Sequence, residues 1–393
     1  MKINETLPLV RQLMLDFAKR TGLSPLGAMP RRYLWTDAFA VCNFLVLYRQ
    51  SGEETFKALA LNLVDQVHAV LGRHRPDDSR SGWISGLDEA QGRAHPTAGG
   101  LRIGKKMNER GPGEPVNAEL EWEQDGQYYH YLTKWMHALN QVGTVTADPI
   151  YHVWAKELAR AVHAAFVTDL GGRGHIRWKM SIDLSRPLVP SMGHHDPLDG
   201  FITCHQLMAC GPLGVGDEAH QPDLRRETGE LEEICRGRNW ATNDALGIGC
   251  LLCSALQTAH LIAAGYFAQH ELLQAMLEDA LSGLQSFAGR HDPALPANYR
   301  LAFRELGLSI GLHAAARLQG LLTEIPARFT GRDRLSAVLA QLLRYSSLAR
   351  TIEKFWLAGP SREGAAWTEH ADINMVMLAT SLAPDGFLRI CAR

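Results

Sequence analysis

The sequence has almost no net charge. The 393 residues carry 40 Lys and Arg against 42 Asp and Glu, so the formal net charge is −2 and the pI is about 6.8. Such a balance does not favour a nucleic acid or a membrane surface that recognises the protein through its net charge. We therefore expect no nucleic-acid partner and no membrane partner, and composition leaves the oligomeric state open.

Cysteine is also sparse, and long apolar runs are absent. An odd number of irregularly spaced cysteines in so long a chain is typical of reduced intracellular thiols. The first twenty residues contain acids and lack the apolar core and cleavage site of a secretory leader. No apolar stretch reaches the roughly 18 residues of a membrane span. These absences predict a soluble, cytoplasmic protein. The cysteines are Cys42, Cys204, Cys210, Cys235, Cys250, Cys253 and Cys391.

Several short signatures of known chemistry are missing as well. There is no HExxH and no DDxxD, and GLRIGKK (100–106) lacks the spacing of a P-loop and its Ser or Thr after the lysine. Cys250 and Cys253 form a CxxC inside an apolar helical segment without a partner pair, which favours core packing over metal or redox use. We expect no cofactor.

What the sequence has in abundance is helical periodicity, with 46% hydrophobic residues to build a core. One set of segments has an apolar face and a charged face, as surface helices do. A second set is apolar nearly all round, which is typical of buried helices. The surface set is 4–20, 53–72, 147–168, 222–236, 269–287 and 331–346. The buried set is 35–48, 127–139, 196–209, 244–262, 303–318 and 369–382.

This alternation predicts an all-α fold, an (α/α)6 toroid in which six parallel inner helices are wrapped by six outer helices. We expect a single domain over residues 1–393, and a two-domain helical bundle is the alternative. Gly247, Gly249, Gly307 and Gly311 lower the helix propensity of two buried segments, and we expect close packing to offset that cost.

Two segments interrupt the helical pattern. Residues 74–125 form a long connection, and loops of such length are usually functional or disordered. Their buried-type residues, such as Trp83 and Ile103, predict an ordered loop. Residues 172–193 alternate loosely between polar and apolar and predict a short β-hairpin.

Polar residues gather at the starts of the buried segments. Any single acid there is explained by helix capping and by the helix dipole. If the inner helices are parallel, however, all these starts meet at one end, and convergent polar groups predict an active site. Asp37 follows Trp35, Asp196 and Asp199 follow His194 and His195, Asp244 follows Trp240, Arg304 and Glu305 follow Tyr299, Glu369, His370 and Asp372 follow Trp367, and the second helix carries His130 and Lys134.

With this alternation and these acid-plus-aromatic starts, the chain resembles the six-hairpin glycosidase superfamily. That group includes glycoside hydrolases, unsaturated glucuronyl hydrolases and, on a similar barrel, N-acylglucosamine 2-epimerases. WTDAFAVCNFL (35–45) and MSIDLSRPLVPSMGHHDPLDGF (180–201) resemble stretches of uncharacterised bacterial and archaeal proteins. The resemblance covers most of the chain as architecture, matches the signature of no single characterised family, and implies carbohydrate chemistry.

The leading hypothesis is a glycoside hydrolase, which needs one protonated and one ionised carboxyl group. Asp37, Asp199, Glu305 and Glu369 are the candidate catalytic residues. Substrate contacts are expected from the polar and aromatic residues around them, and aromatic rings such as Trp35 would lie against sugar rings. The candidate substrate-binding residues are Trp35, His95, Arg102, Lys105, His130, Lys134, His194, His195, Asp244 and His370.

A sugar isomerase or 2-epimerase is the alternative enzyme. Removal of a proton next to a carbonyl calls for a base, commonly histidine, on each face of the substrate. His130, His194, His195 and His370 are the candidates, whereas His313 lies deep in an apolar segment, as a core histidine does. A non-catalytic helical-toroid binding protein is the third hypothesis.

The loop 95–110 is glycine-rich and basic, carrying His95, Arg102 and Lys105. Such a loop suits carboxylate, phosphate or sulfate, which favours an acidic sugar, and a solvated basic loop is the alternative. HHDPLD (194–199) contains residue types that bind metals, but capping and substrate hydrogen bonding explain it as well. We expect no metal.

Overall fold

The computed structural model describes residues 3–27, 30–169, 171–172, 174–210, 223–290, 292 and 294–390, and helices dominate it. The helices, in chain order, are α1 (Ile3–Arg20), α2 (Leu34–Ser51), α3 (Glu54–Leu71), α4 (Glu89–Ala94), α5 (Ala118–Glu123), α6 (Tyr129–Thr146), α7 (Ile150–Phe166), α8 (Asp196–Ala209), α9 (Arg225–Cys235), α10 (Ala245–Ala263), α11 (His270–Ala288), α12 (Ala302–Glu324), α13 (Arg332–Leu342), α14 (Ser346–Leu357), α15 (Gly359–Glu363), α16 (Ala365–Thr368), α17 (Ala371–Leu382) and α18 (Asp385–Leu388). The strands are β1 (Gln127–Tyr128), β2 (Val167–Asp169), β3 (Gly174–Ile176), β4 (Lys179–Met180) and β5 (Pro187–Val189).

Every segment that the periodicity predicts to be helical contains a helix. Several starts differ by up to three residues, and two of the later starts are explained by a neighbouring element. The predicted helix over 127–139 begins later, at Tyr129, because Gln127 and Tyr128 pair with β4 as a strand. The predicted helix over 369–382 begins at Ala371, because the short helix α16 ends just before it. Glu369 and His370 therefore lie in the turn between α16 and α17.

The chain packs into two compact units. The first comprises Met1–Arg20, Arg49–Gly52 and Gly237–Arg393, and the second comprises Thr21–Tyr48 and Glu53–Arg236. The single domain expected over residues 1–393 stays a prediction.

In the first unit, the buried helices α10 and α12 pack closely through glycine. A Cβ atom on Gly249 would collide with the carbonyl group of Gly307, and one on Gly311 would come within 2.5 Å of the Cα atom of Gly249. Any larger side chain would push the two backbones apart. The close packing expected from these glycines is confirmed.

Helix α10 is, among the helices of the described residues, the one that is long and apolar enough to cross a membrane. However, 72% of that stretch is buried inside the protein. It therefore has the burial of a core helix.

In the second unit, α6 packs against α7 and α8, and α8 packs against α9. The predicted hairpin is present as β4 and β5, and β1 joins it as a third antiparallel strand. The side chain of Gln127 fixes this junction, because it donates to the carbonyl groups of Gly99 and Ile182 and accepts from the amide of Leu101.

The connection over 74–125 is ordered, as predicted. Trp83 and Ile103 are buried. Arg80 clamps the segment to itself and to the hairpin through Asp78 at 2.8 Å, Glu109 at 2.6 Å and Asp183 at 2.9 Å. Several charges of the connection are thus used to hold its own fold.

The cysteines of the described residues are free thiols, and five of the six are buried. Cys250 and Cys253 lie within α10. Cys391 lies outside the described residues.

Candidate active site

A cluster of four polar residues lies between α6 and α8. His130 and Lys134 are one turn apart on α6, and Asp196 and Asp199 are one turn apart on α8, so each pair lies on one face of its helix. The two faces meet: Lys134 Nζ is 2.9 Å from Asp199 Oδ2, and His130 Nδ1 is 3.8 Å from Asp196 Oδ1. We call these four residues the α6–α8 cluster.

Asp196 is the unusual acid of this cluster. Burial, and then the negative charge of Asp199, raise its pKa to about 8. Its side chain is 5% exposed, and its Oδ2 atom accepts no hydrogen bond within the described part of the chain. At neutral pH this carboxyl group is therefore mostly protonated, which an exposed aspartate would not be.

The pKa of His130 is shifted so that its neutral form is favoured, as the pKa of Asp196 is. Burial lowers its pKa to about 4, although the charge of Asp199 opposes the change. Its Nδ1 atom is buried and makes no hydrogen bond in the described residues, while 27% of the side chain remains exposed. Since Nδ1 faces Asp196, the opposite ring nitrogen, Nε2, is the one that can reach a substrate. A neutral imidazole beside a protonated carboxyl is an arrangement suited to proton transfer.

Aromatic rings surround His130. It stacks on Tyr128 at a centroid distance of 5.6 Å and lies parallel to Trp178 at 6.3 Å, while Tyr131 meets it edge-on at 4.8 Å. Trp35 lies 6.4 Å from Tyr131 and is 4% exposed. These rings exclude water from one side of the cluster, and apolar walls with a few polar groups are typical of small-molecule sites.

A tyrosine pair connects the cluster to the basic loop. The hydroxyl groups of Tyr33 and Tyr131 are 2.8 Å apart, and Lys105 Nζ lies 5.7 Å from the centroid of the Tyr33 ring. Burial lowers the pKa of Lys105. Lys105 is thus the member of the predicted basic loop that lies near the cluster.

Arg102, a predicted substrate-binding residue, is committed to holding the fold of that loop. It is 4% exposed, pairs with Asp125 at 2.5 Å and donates to the carbonyl groups of Val70 and Arg73. Asp125 in turn accepts from the amide of Gly104, next to Lys105. Arg102 therefore positions the loop that carries Lys105.

The other candidates in the second unit have local partners. Asp37 is 1% exposed and accepts from the amide of Tyr33 at 2.9 Å and from Arg32 at 3.5 Å. His95 Nδ1 is 2.7 Å from Glu157 on α7. Asp37 therefore fixes the start of α2, and His95 ties its loop to an amphipathic helix.

His194 and His195 immediately precede α8, with their rings 4.8 Å apart. Both side chains are partly accessible to solvent. Their place beside Asp196 puts them at the edge of the α6–α8 cluster.

Among the described residues of the first unit, the predicted site residues do not form a pair like that of His130 and Asp196. Glu305 accepts hydrogen bonds from Nε and Nη2 of Arg300, at 2.8 and 2.7 Å, and from Trp356 Nε1 at 2.8 Å. Asp244 caps α10 by accepting from the amide of Gly247 at 2.8 Å, and it also pairs with Arg304.

Glu369 and His370 are exposed in the turn before α17. The ring of His370 lies 5.9 Å from Phe303. The catalytic and binding roles assigned to the first-unit residues stay predictions.

Three aromatic residues of this site are not predicted from the sequence, and one acid is given a different role. Asp196 is predicted to serve capping, substrate hydrogen bonding or metal binding and is not among the predicted catalytic residues, although its one-turn spacing from Asp199 is a signal. Tyr33, Tyr131 and Trp178 carry no signal, because their contacts join segments distant in sequence. Within the described residues no three His, Cys, Asp or Glu side chains are grouped to hold a metal ion.

Comparisons with known proteins bear on the fold. No family model and no curated protein matches the chain. A solved structure of a sugar epimerase from a ruminal bacterium is similar over 98% of this chain and 99% of its own, with 10% identity and a TM-score of 0.55. The all-α toroid fold class predicted from the sequence is thereby confirmed.

Proposed function

We propose that this chain is a carbohydrate-active enzyme that moves a proton at the carbon next to a sugar carbonyl group, as a sugar isomerase or epimerase does. The observation that carries the proposal is the pairing of His130 with Asp196, 3.8 Å apart, in an aromatic setting. The similar solved structure is that of a sugar epimerase, which supports the same class.

In the proposed reaction, His130 is the base. Its Nε2 atom takes the proton from the carbon next to the carbonyl carbon. The electron pair of that C–H bond forms a C=C bond, and the carbonyl oxygen takes the negative charge of an enediolate. As the imidazolium forms, its Nδ1–H faces Asp196 Oδ1, 3.8 Å away, and this carboxyl oxygen is placed to accept a hydrogen bond from it.

Lys134 is the residue proposed to stabilise the enediolate. Its ammonium group lies one turn from His130 on α6 and is held by Asp199 at 2.9 Å. A fixed cation aimed at a developing oxyanion is a large term in such reactions. His130 returns its proton to the former carbonyl carbon, while the proton of the neighbouring hydroxyl group passes to the former carbonyl oxygen, and the isomer results. Protonation of the original carbon on its opposite face, by water in place of His130, gives the epimer, and His130 then loses its proton to solvent.

A glycoside hydrolase remains the second candidate, and one observation favours it. Burial raises the pKa of Asp196 to about 8, while Asp199 is paired with Lys134 at 2.9 Å, so two neighbouring carboxyl groups have different surroundings. Against it, both acids project from one face of α8, whereas glycosidases place their two carboxyl groups on either side of the scissile bond.

Near the cluster, in the part of the chain that the structure describes, Lys105 and Lys134 are placed to meet an anionic group, whereas Arg102 is occupied by Asp125. We therefore propose a neutral or singly charged sugar. A cytoplasmic location stays a prediction.

The test is incubation of the purified protein in deuterated water with a panel of aldoses and reducing disaccharides. We expect one deuterium at the carbon next to the carbonyl group, with chain length unchanged, detected by mass spectrometry and NMR. His130→Ala should lower the exchange rate by about 10²–10⁴-fold. His163→Ala is the matched control, since it removes a histidine of the same unit that is paired with Glu230 and is not a member of the cluster, and it should retain exchange.

New reducing ends without deuterium incorporation would replace the proposal with the hydrolase. Exchange that survives in His130→Ala, with the protein folded, would remove His130 as the base. Absence of turnover on the whole panel would leave the non-catalytic binding protein as the better description.

A further inference from the structure

We propose that Trp122 is a binding platform for a second sugar ring, so that the substrate is a disaccharide or longer chain and not a lone monosaccharide. This inference rests on the proposed carbohydrate function and specifies its substrate class. Sequence patterns alone do not distinguish Trp122 from the other tryptophans.

Trp122 lies at the outer end of a row of rings that leads to His130. Its side chain is 52% exposed. It meets Trp178 edge-on at a centroid distance of 4.9 Å, and Trp178 lies parallel to His130 at 6.3 Å with an interplanar angle of 15°. Two ring-to-ring steps therefore join an exposed indole to the proposed base. A sugar bound beside His130 would direct its next ring toward Trp122.

The backbone that carries Trp122 is fixed on both sides. Lys179 is fully buried, and its ammonium group donates to the carbonyl groups of Glu121 at 2.6 Å and Gln124 at 3.0 Å. The carboxylate of Glu121 is paired with Arg110 and lies 3.3 Å from Lys179 Nζ. An exposed indole on a segment held this firmly loses little conformational entropy on binding, as a platform requires.

The start of α5 is fixed as well. The side chain of Asn117 caps it by accepting from the amides of Glu119 and Leu120, at 3.0 and 3.2 Å. This six-residue helix is held by several hydrogen bonds and ion pairs, yet it leaves Trp122 and Leu120 exposed. Burial of these apolar side chains in a core therefore does not explain the network.

The chemistry of the platform suits a neutral sugar. An indole ring offers a large apolar face, and the exposed Glu123 beside it offers carboxylate oxygens for sugar hydroxyl groups. A protein partner is the competing occupant, because Met107, Val116 and Leu120 are also exposed. The continuity with Trp178 and His130 favours the sugar.

The experiment compares kcat/KM of the wild type and Trp122→Ala on reducing glucose disaccharides, with α and β linkages, and on glucose. We expect kcat/KM to fall about tenfold for the preferred disaccharide, or about 1.4 kcal/mol, and to stay unchanged for glucose. Trp122→Phe should recover part of the loss. Tyr299→Ala removes another exposed aromatic side chain, 77% exposed, and is the matched control with no expected effect.

An equal loss on glucose and the disaccharides would overturn the proposal, because Trp122 would then act only by supporting Trp178. An unchanged disaccharide value would also overturn it. A change in oligomeric state of Trp122→Ala, measured by analytical ultracentrifugation, with unchanged kinetics would assign the surface to a protein partner.

A binding measurement separates this proposal from the proposed function. Calorimetric titration of the His130→Ala protein with the same disaccharides needs no turnover, and the double variant His130→Ala with Trp122→Ala is titrated beside it. Weaker binding by the double variant would support the platform even if the proposed reaction failed, and equal affinity of the two proteins would overturn it.

Discussion

Glu305 in the first unit and Asp196 in the second are both buried acids at the start of a buried helix, yet their surroundings are opposite. Glu305 has a guanidinium at 2.7 Å and an indole donor at 2.8 Å. Asp196 has a histidine at 3.8 Å and an oxygen that accepts no hydrogen bond in the described residues. Both side chains are less than 10% exposed.

The difference shows that an acid at a helix start is informative only through what faces it. The carboxylate of Glu305 is engaged by a guanidinium and an indole N–H, so its oxygens are occupied in holding the fold. A buried carboxyl without a cation in direct contact holds its proton to higher pH and becomes an acid that operates near neutrality. From these surroundings we propose a structural role for Glu305 and a chemical one for Asp196, and each proposed role can be tested by mutation.

The largest expected effect is on stability in the first unit. Glu305→Gln removes the anion that compensates the buried Arg300 and should lower the free energy of unfolding by about 3–5 kcal/mol, measured by urea denaturation. The double variant Arg300→Met with Glu305→Met is the control, because it removes both charges and should recover most of the loss. A Glu305→Gln protein of normal stability but without activity would return Glu305 to the catalytic residues.

Asp196→Asn should change the pH dependence of stability. The folded pKa of about 8 lies above the ordinary aspartate value of 3.8, so the protonated carboxyl contributes stability that is complete below about pH 4 and is lost as the pH rises through 8. Within that window the slope contributed by this group approaches about 1.4 kcal/mol per pH unit.

Asparagine does not ionise, so the difference in unfolding free energy between the wild type and Asp196→Asn should move in favour of the variant from about pH 4 to about pH 8. Denaturation at several pH values measures it. If the unfolding free energies of the two proteins change in parallel with pH, the pKa of Asp196 is ordinary. The difference proposed between Asp196 and Glu305 would then be wrong.

The pH dependence of kcat/KM sharpens the role of His130. Since burial lowers its pKa to about 4, the acidic limb should lie near pH 4 instead of near the ordinary value of 6.5, with about a tenfold loss per pH unit below it. Asp199→Asn should move this limb to lower pH, because the charge of Asp199 raises the pKa of His130. Circular dichroism at each pH controls for unfolding, and a limb near 6.5 would contradict the environment described for His130.

Much of the fold could be predicted because its signals are local. Apolar periodicity identifies the helices, and the glycines of α10 and α12 indicate close packing. The site is harder, because its meaning depends on pairs distant in sequence. His130, Lys134 and Asp199 could be named in advance, but nothing in the sequence says that Lys134 meets Asp199 or that Asp196 meets His130.

The same limit explains the residues whose surroundings differ from expectation. Arg102 belongs to a glycine-rich basic loop, and its sequence does not reveal that Asp125 and two carbonyl groups occupy it. Gln127 and Tyr128 continue a helical pattern, yet they pair with Met180 and Lys179 of β4, because strand pairing is decided by residues far along the chain.

The smallest expected effect concerns Asp244, which the sequence places among the substrate-binding residues. Its carboxylate caps α10, so Asp244→Ala should lower the free energy of unfolding by about 1 kcal/mol while leaving kcat/KM unchanged. Asp88→Ala is the matched control in the second unit, since Asp88 caps α4 by accepting from the amide of Gln91 at 2.9 Å. Equal stability losses with intact activity would place Asp244 with Glu305 among the acids that hold the fold. A loss of kcat/KM in Asp244→Ala alone would instead show that Asp244 contacts the substrate, although it already caps α10 and pairs with Arg304. The acids of the two units would then differ less in function than their surroundings indicate.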